Sequence, residues 1–454
     1  MELLTDLLPG LMFLALIVGL FSGAPVAIML MGVSLIFGIA AILLGEMRIV
    51  QATLIPNRIF GGTIENPVLV AAPMFIFMGL VMERTRIAED LLITLQRLMR
   101  VVPGGLGLAV VLMGTILAAA TGIIGASVVM LTVLALPTMM ARGYSPALAT
   151  GTVASAGTLG ILIPPSIMLV FMGDLLSVSI GRLFVSALLP GLALSLFYVA
   201  YITLFAALNP SAAPKAPPLS DEERVGLWKQ TVVALLVPIA LIVMVLGSIL
   251  GGFATPTEAA GIGAAGALLL GLLRGRLNWK VLSGSADGAV RTVAMLFFIF
   301  VGATAFSYIF KKIGGDAFLI DTAQSLALGD WGLLFAMMIM IFVMGFFFDW
   351  IEITLIVLPI FAPIIAIMDL GEHVARGDLV YWFAVLMAIN LQTSFLTPPF
   401  GFALFYLKGA AGDLVSMAQI YRGIIPFVLL QIAVLGIAIA APDLVLWLPR
   451  ALSP

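Results

Sequence analysis

Gly157–Asp174 reads GTLGILIPPSIMLVFMGD, an apolar stretch with two adjacent prolines, Pro164 and Pro165, at its middle. A helix running through it loses two N–H donors at the prolines and frees carbonyls about one turn upstream, near Gly160 and Ile161. In hydrocarbon each such group costs several kcal/mol, so a break of this kind persists only where protein or water lines it. The surroundings of the break therefore decide the fold.

Those surroundings are strongly apolar. The chain has 454 residues, 63% hydrophobic and 10% charged, with a mean hydropathy of +1.24. Apolar runs of spanning length recur from end to end, which predicts an all-α polytopic membrane protein. The alternating ten-residue pattern of a membrane β-barrel is missing. A net charge of −2 argues against a nucleic-acid partner, and no Cys with one His argues against thiolate metal sites, disulfides and His-based catalysis. Without a His-Glu metal motif or a Ser–His dyad, the chain is not expected to be an enzyme. The acidic start, MELLTDLLPG, lacks the basic region of a cleavable signal peptide.

The plan of the first half recurs in the second. Expected helices cover about 7–20, 25–44, 68–82 and 183–208, then 232–250, 258–272, 292–310 and 424–446. Glu83–Arg100 reads as an amphipathic helix at the membrane interface, with Leu91, Leu92, Leu95 and Leu98 at helical spacing. FIFMG (75–79) is answered by FIFVG (298–302), Pro137 by Pro359, Pro164-Pro165 by Pro398-Pro399, and GDLLS (173–177) by GDLVS (412–416). Four landmarks in one order, at offsets that drift slowly in one direction, argue for duplication. Residues 1–208 form one repeat and 229–454 the other, with a Pro- and Ala-rich linker over 209–228. Five crossings and one re-entrant hairpin per repeat would turn the second repeat upside down relative to the first. Lys and Arg concentrate on one expected side (among them Arg84, Arg97, Arg100, Arg274 and Arg276), which places the linker in the cytoplasm and both termini in the periplasm. The first hairpin then enters from the cytoplasm and the second from the periplasm.

Each repeat carries a pair of short apolar segments. In the first repeat these are about 106–120 and 127–140, joined by TGIIGA (121–126). A helix of about 15 residues spans roughly 22 Å, short of the ~30 Å hydrocarbon core, so the pair fits a re-entrant hairpin whose tip faces the broken helix. Two ordinary short helices in a thinned bilayer are the alternative, as a plain proline kink is for the break. Freed carbonyls at the first break, and Ser394 and Thr397 beside the second in TSFLTPPFG (393–401), are oxygen ligands for a hard monovalent cation such as Na⁺. Asp349 and Glu352 in FFFDWIE are intramembrane acids, and Asp349 fits either site polarity or the cap of the hairpin's return helix. Glu258, just after Pro256, reads as a helix cap; so do Asp174 and Asp413 of the two Gly-Asp pairs.

GTLGILIPPS, LTPPFG, FATPTEA and ARGYSPALATGT together resemble the large membrane (M) subunit of TRAP transporters, the tripartite ATP-independent periplasmic systems. The resemblance covers essentially the whole chain. It implies an inverted-repeat elevator transporter of the bacterial inner membrane with two re-entrant helical hairpins. It also implies a small four-helix membrane (Q) subunit and a soluble periplasmic substrate-binding (P) protein as partners, with Na⁺ driving uptake of a small carboxylate. Carried onto this chain, one sodium site takes Gly122, Ile123, Gly160, Ile163 and Pro164, and the other Gly345, Ser394, Thr397 and Phe400. Candidate substrate-binding residues are Ser127, Thr158, Asp349 and Thr393. Many relatives have a Ser-Gly-Ser-Ser run where this chain has Thr121-Gly122-Ile123-Ile124, so only backbone carbonyls could ligate there. That tip looks more like the branch for 2-oxo acids and other monocarboxylates than the sialic-acid branch. A stand-alone Na⁺- or H⁺-coupled carboxylate transporter or antiporter of the same superfamily is the alternative.

Overall fold

A computed structural model of the chain describes residues 7–121, 124–217, 227–398 and 401–452. Gly122, Ile123 and Phe400 of the expected sodium sites lie outside the described residues. The first half contains α1 (Leu8–Leu20), α2 (Val26–Leu43), α3 (Ala71–Arg84), α4 (Ile87–Leu98), α5 (Gly105–Thr121), α6 (Ile124–Ala141), α7 (Pro146–Thr158), α8 (Ile167–Leu175) and α9 (Ile180–Leu208). The second contains α10 (Leu227–Leu250), α11 (Pro256–Leu273), α12 (Trp279–Lys312), α13 (Gly315–Ser325), α14 (Gly329–Met344), α15 (Trp350–Ile367), α16 (Arg376–Ser394), α17 (Phe402–Ala411), α18 (Met417–Ala440) and α19 (Asp443–Leu452). Among the described residues nine helices are long and apolar enough to cross a membrane, or ten if α13 and α14, bent by 116° at their break, form one span.

Local chemistry sets where these helices begin. Thr255 and Glu258 close a capping box at α11, Asp349 and Glu352 one at α15, and Ser416 and Gln419 one at α18. Each box occupies two of the orphan N–H groups of a first turn, which matters most where water is excluded. Glu258 is thus the cap its position suggested. Asp174 and Asp413 are not caps: the hydroxyls of Ser179 and Ser416 open α9 and α18 instead. Asp174 lies inside the last turn of α8, where helix N–H groups already have partners, and both its oxygens accept from Asn66 Nδ2, at 2.9 and 3.0 Å.

Three expected boundaries shift for physical reasons. α12 starts at Trp279, not near Thr292, because Lys280, Asp287 and Arg291 leave a stripe of small residues to pack inward, with Ser285 and Ala289 buried. Glu83–Arg100 is not one interfacial helix. Arg86 takes a left-handed backbone (φ 57°) and splits it, and Leu91, Leu92 and Leu95 of α4 are buried in the protein. α6 has 18 residues rather than about 14, so its length alone no longer excludes a span.

The two halves interlock. α2 packs on α12, and α3 packs on α11, so the second and third spans of each half exchange partners. Thr257 Oγ1 donates to the Pro67 carbonyl at 2.7 Å, and the Thr63 and Thr304 hydroxyls meet at 3.1 Å. α10 and α2 keep long apolar side chains exposed, among them Leu236, Val243, Leu35 and Ile36, a surface suited to lipid or to another apolar helix. Two ionic clusters mark opposite ends of the expected topology. Asp90 accepts from Arg274 (2.8 Å) and Arg276 (2.7 Å), whereas Asp378 pairs with Arg182 and, at 2.9 Å, with Arg450. Each cluster draws its cations from one expected side only.

Candidate functional site

At the first break α7 ends at Thr158, a tight turn covers Leu159–Ile161, and α8 resumes at Ile167. The N–H groups of Leu162 and Ile163 both turn back to the Leu159 carbonyl, at 3.1 and 3.0 Å. The Pro164–Pro165 peptide is cis. Ser166 Oγ donates to the Ile161 carbonyl at 2.8 Å, so one of the two freed carbonyls is taken up by a hydroxyl. The carbonyl of Gly160 has its helical donor position occupied by Pro164, which has no N–H. The Ile163 side chain lies against Gly191 of α9, so this residue can offer a site only its backbone. Every residue from Leu148 to Gly173 is buried, the condition under which partial charge on a carbonyl acts strongly.

The α5–α6 pair lies directly on this broken helix. A Cβ added at Gly157 would stand 2.6 Å from Val128 Cγ2 and 2.9 Å from Val128 Cα, so the two backbones touch only because residue 157 is glycine. A cavity of about 10 Å³ remains between them, bounded by Ser127, Gly114 and Gly157 among others. That is near the volume of one water or one small ion. Ser127, expected at the substrate site, thus sits where the pair meets α7.

The second break repeats the arrangement with hydroxyls. α16 ends at Ser394, Gly401 turns the chain with φ 47°, and α17 resumes at Phe402. Gly345, at the C-terminal end of α14, contacts Ser394 so closely that a Cβ there would overlap the Ser394 hydroxyl. Ser394 Oγ donates to the Leu391 carbonyl, Thr393 Oγ1 to Ile389 and Thr397 Oγ1 to Thr393, each at 2.8 Å. A hydroxyl whose proton is committed to a carbonyl turns its lone pairs to its other neighbours, the orientation a cation needs. Asn390 Nδ2 donates to the Met338 carbonyl of α14 at 2.6 Å and fixes the pair to the break.

The two breaks are tied to each other. Gln392 Nε2 donates to Thr158 Oγ1 at 3.3 Å, joining α16 to α7, while Gln392 Oε1 is buried without a donor among the described residues. The Tyr406 ring of α17 closes over Gly125 of α6, and Phe171 of α8 packs on Trp350 of α15 with ring centres 5.9 Å apart. The C-terminal half of each broken helix therefore meets the second helix of the opposite pair. Asp349 is the cap of α15, accepting from the Trp350 N–H at 2.7 Å while its own N–H donates to Glu352 at 3.2 Å. Both carboxylates lie within coulombic reach of Tyr406.

Of the expected residues, Thr158 is joined to α16 by Gln392, Thr393 bonds back to Ile389 within α16, Ser127 lies at the α6–α7 contact, and Asp349 caps the start of α15. Gly160, Ile163 and Pro164 share the first break; Gly345, Ser394 and Thr397 share the second. Sequence reading passed over Gln392 and Asn390. Both are amide side chains in an apolar helix directly before the Thr-Ser pair, and that isolation was the available signal.

Comparisons with known proteins follow this architecture. The family described as tripartite ATP-independent periplasmic transporter, DctM component, matches residues 13–444. A C4-dicarboxylate TRAP transporter large permease protein of Pseudomonas aeruginosa is 31% identical over 86% of this chain and 88% of its own length. An ectoine/5-hydroxyectoine TRAP transporter large permease protein of Ruegeria pomeroyi is 29% identical, covering 96% and 97%. Among solved structures the YdaH transporter of Alcanivorax borkumensis shares the fold, with a TM-score of 0.58 at 14% identity over 88% and 89% of the two chains.

Proposed function

The chain belongs to the DctM component family of tripartite ATP-independent periplasmic transporters, and from that premise we propose that it is the large membrane subunit of a Na⁺-coupled importer of a small organic acid, a 2-oxo acid or similar carboxylate. Its partners are a small membrane (Q) subunit and a periplasmic binding protein that delivers the substrate, and it resides in the bacterial inner membrane. Residues 1–208 and 229–454 act as inverted repeats, with α5–α6 and α14–α15 as re-entrant hairpins entering from opposite sides. The observation that carries this reading is the pair of broken helices, each in contact with the tip region of a helix pair and joined to one another by Gln392 and Thr158.

Na⁺ is a substrate of the cycle. At the second break Ser394 and Thr397 offer hydroxyl oxygens beside Gly345, and at the first the Gly160 carbonyl offers a backbone oxygen, with the Ile163 and Pro164 carbonyls next in line. Filling these positions neutralises partial negative charge that hydrocarbon would otherwise penalise, so cation binding favours closed hairpins. The substrate carboxylate is held between Ser127, Thr158 and Thr393, with Gln392 orienting Thr158; Asp349 serves there through the start of α15 that it caps. The hairpins, broken helices and their mutual contacts move as one body against the interlocked α2, α3, α11 and α12, the elevator step.

Uptake into liposomes holding the chain with its Q and P partners tests the reading. Transport is expected to need both a Na⁺ gradient and the binding protein; uptake that persists without either refutes it. Thr397→Ala is expected to raise the Na⁺ concentration for half-maximal uptake about tenfold, the equivalent of one lost ligand worth ~1.4 kcal/mol. An unchanged Na⁺ dependence removes Thr397 from the ligand set.

A further inference from the structure

Away from both breaks, a cleft of about 460 Å³ opens between the C-terminal end of α12, the 55–64 segment and the α8 and α15 helices. Three cations stand at it: Arg58, Lys311 and Lys312. Among the described residues none of the three is paired with a carboxylate, and none of the residues bounding the cleft is acidic. Arg182, Arg274, Arg276, Arg376 and Arg450 each have an aspartate, whereas these three cations share one concave place without one. Unmatched like charge in one concave place repels itself, and an anion is what relieves it.

The cleft is organised to receive one. Arg58 Cζ and Lys312 Nζ sit 6.0 and 5.9 Å from the centre of the Tyr308 ring, which holds both cations near its face. Tyr308 is itself anchored, its hydroxyl donating to the Gln51 carbonyl at 2.9 Å. Thr304, whose hydroxyl meets that of Thr63, and Ser307 line the same wall, about two turns and one turn before Lys311 on α12. The floor is apolar, made by Phe300 of α12 and by Leu355 and Pro359 of α15. A volume in the range of small-ligand sites, an apolar floor and a few convergent cations fit a small organic anion with an apolar body. Lys312 also borders a neighbouring cavity that holds Glu46 and Asp321, so Arg58 and Lys311 are the cations committed to this cleft alone.

We propose that this cleft is a binding site for a small carboxylate, separate from the two breaks and independent of Na⁺. Its walls come from α12 and 55–64 on one side and from α8 and α15 on the other, so a bound anion bridges the two assemblies that the transport reading moves apart. The ligand class is shared with that reading, but the site and its Na⁺ independence are not.

The chain contains no cysteine, so Ser307→Cys makes the only thiol. The full chain carrying it, in detergent and sodium-free buffer without partners, is labelled with an anionic sulfonate and a cationic trimethylammonium thiosulfonate reagent. Normalised to the same reagents on a free thiol, the anionic reagent is expected to react about tenfold faster, and Arg58→Gln with Lys311→Gln, the two cations committed to the cleft, to abolish most of the preference. Pyruvate or succinate at about 10 mM is expected to slow labelling several-fold, whereas the corresponding amides do not. Gly62→Cys, at the cleft with open space around its Cβ position, reports the same quantities if the first reporter fails to fold. Equal normalised rates for the two reagents overturn the proposal, as does labelling that the carboxylates leave unchanged or that the amides slow equally. Because no Na⁺ gradient or binding protein is used, these results stand apart from the outcome of the uptake experiment.

Discussion

Gly345→Ala tests whether the second helix pair is seated on the second break. The added Cβ would lie 2.7 Å from Ser394 Cβ and overlap its hydroxyl, whereas ordinary contact begins at 3.4 Å. Restoring contact needs a separation of about 0.7 Å between the α14 terminus and α16, an overpacking that costs about 1–3 kcal/mol. Displacing Ser394 Oγ from the Leu391 carbonyl adds about 1 kcal/mol. Ser394→Gly alone loses that same bond and gains backbone freedom, about 1–2 kcal/mol together. Combined, the two changes remove the clash, so the double variant is expected to be about as stable as Ser394→Gly. The coupling of about 2–4 kcal/mol, the whole cost of Gly345→Ala, is read from unfolding of the solubilised protein in a double-mutant cycle. Sodium dependence of uptake splits from stability here: the double variant regains stability but not Na⁺ affinity, because Ser394 is gone. Additivity to within about 0.5 kcal/mol refutes the packing argument. Wild-type Na⁺ affinity in Ser394→Gly refutes the ligand argument.

Other expectations are more local. Gly157→Ala drives a Cβ into Val128 backbone, which no rotamer relieves, and is expected to destabilise by about 2–3 kcal/mol and to abolish uptake. Asp378 is mostly buried between Arg182 and Arg450, so Asp378→Asn is expected to cost about 2 kcal/mol, reduced by partial exposure of the arginines. Arg182→Ala is expected to cost more than Arg450→Ala, because Arg182 is the less exposed and also lies 4.5 Å over the Tyr381 ring; the reverse order in thermal unfolding removes that ranking. Thr255→Ala opens the α11 capping box and should cost about 1 kcal/mol, with no change in Na⁺ dependence of uptake. In the loop at 369–376, the Gly371 N–H and then Arg376 hold the Asp369 carboxyl below the usual carboxylate range. Its contribution is complete above the ordinary Asp value of about 3.9 and is lost as pH falls through the lowered one. A pH series of thermal unfolding should therefore show Asp369→Asn losing part of the acid-side decline in stability; an unchanged acid limb counts against the pairing.

What could be read in advance was what chain chemistry encodes locally. Two Pro-Pro pairs break helices wherever they sit, and Thr-x-x-Glu ahead of an apolar run caps one, so the breaks and the Glu258 role were visible in single stretches. Gly-Asp at 173–174 and 412–413 looked like a cap by the same logic, yet serines a few residues later supply the caps, and Asn66, more than a hundred residues distant, claims Asp174. TGIIGA reads as a turn in sequence, yet α6 already begins at Ile124, with Gly125 inside the helix under the Tyr406 ring. Gln392 and the cation cleft depend on which distant helices meet. The cleft unites residues near positions 58, 311 and 355, and no window of sequence contains them together.

The exchange of partners between α2 and α12, and between α3 and α11, has a consequence for biosynthesis. During insertion α2 leaves the translocon with the face meant for α12 still uncovered, and α12 begins roughly 240 residues later, a wait of about 10–50 s at ordinary elongation rates. Through that interval α1 and α2, and α3 through α7, can already pack on one another, but the sides of α2 and α3 meant for α12 and α11 stay open to lipid. A half-length product therefore exposes the two apolar faces that the second half covers, and it is complete only once α11 and α12 are in place.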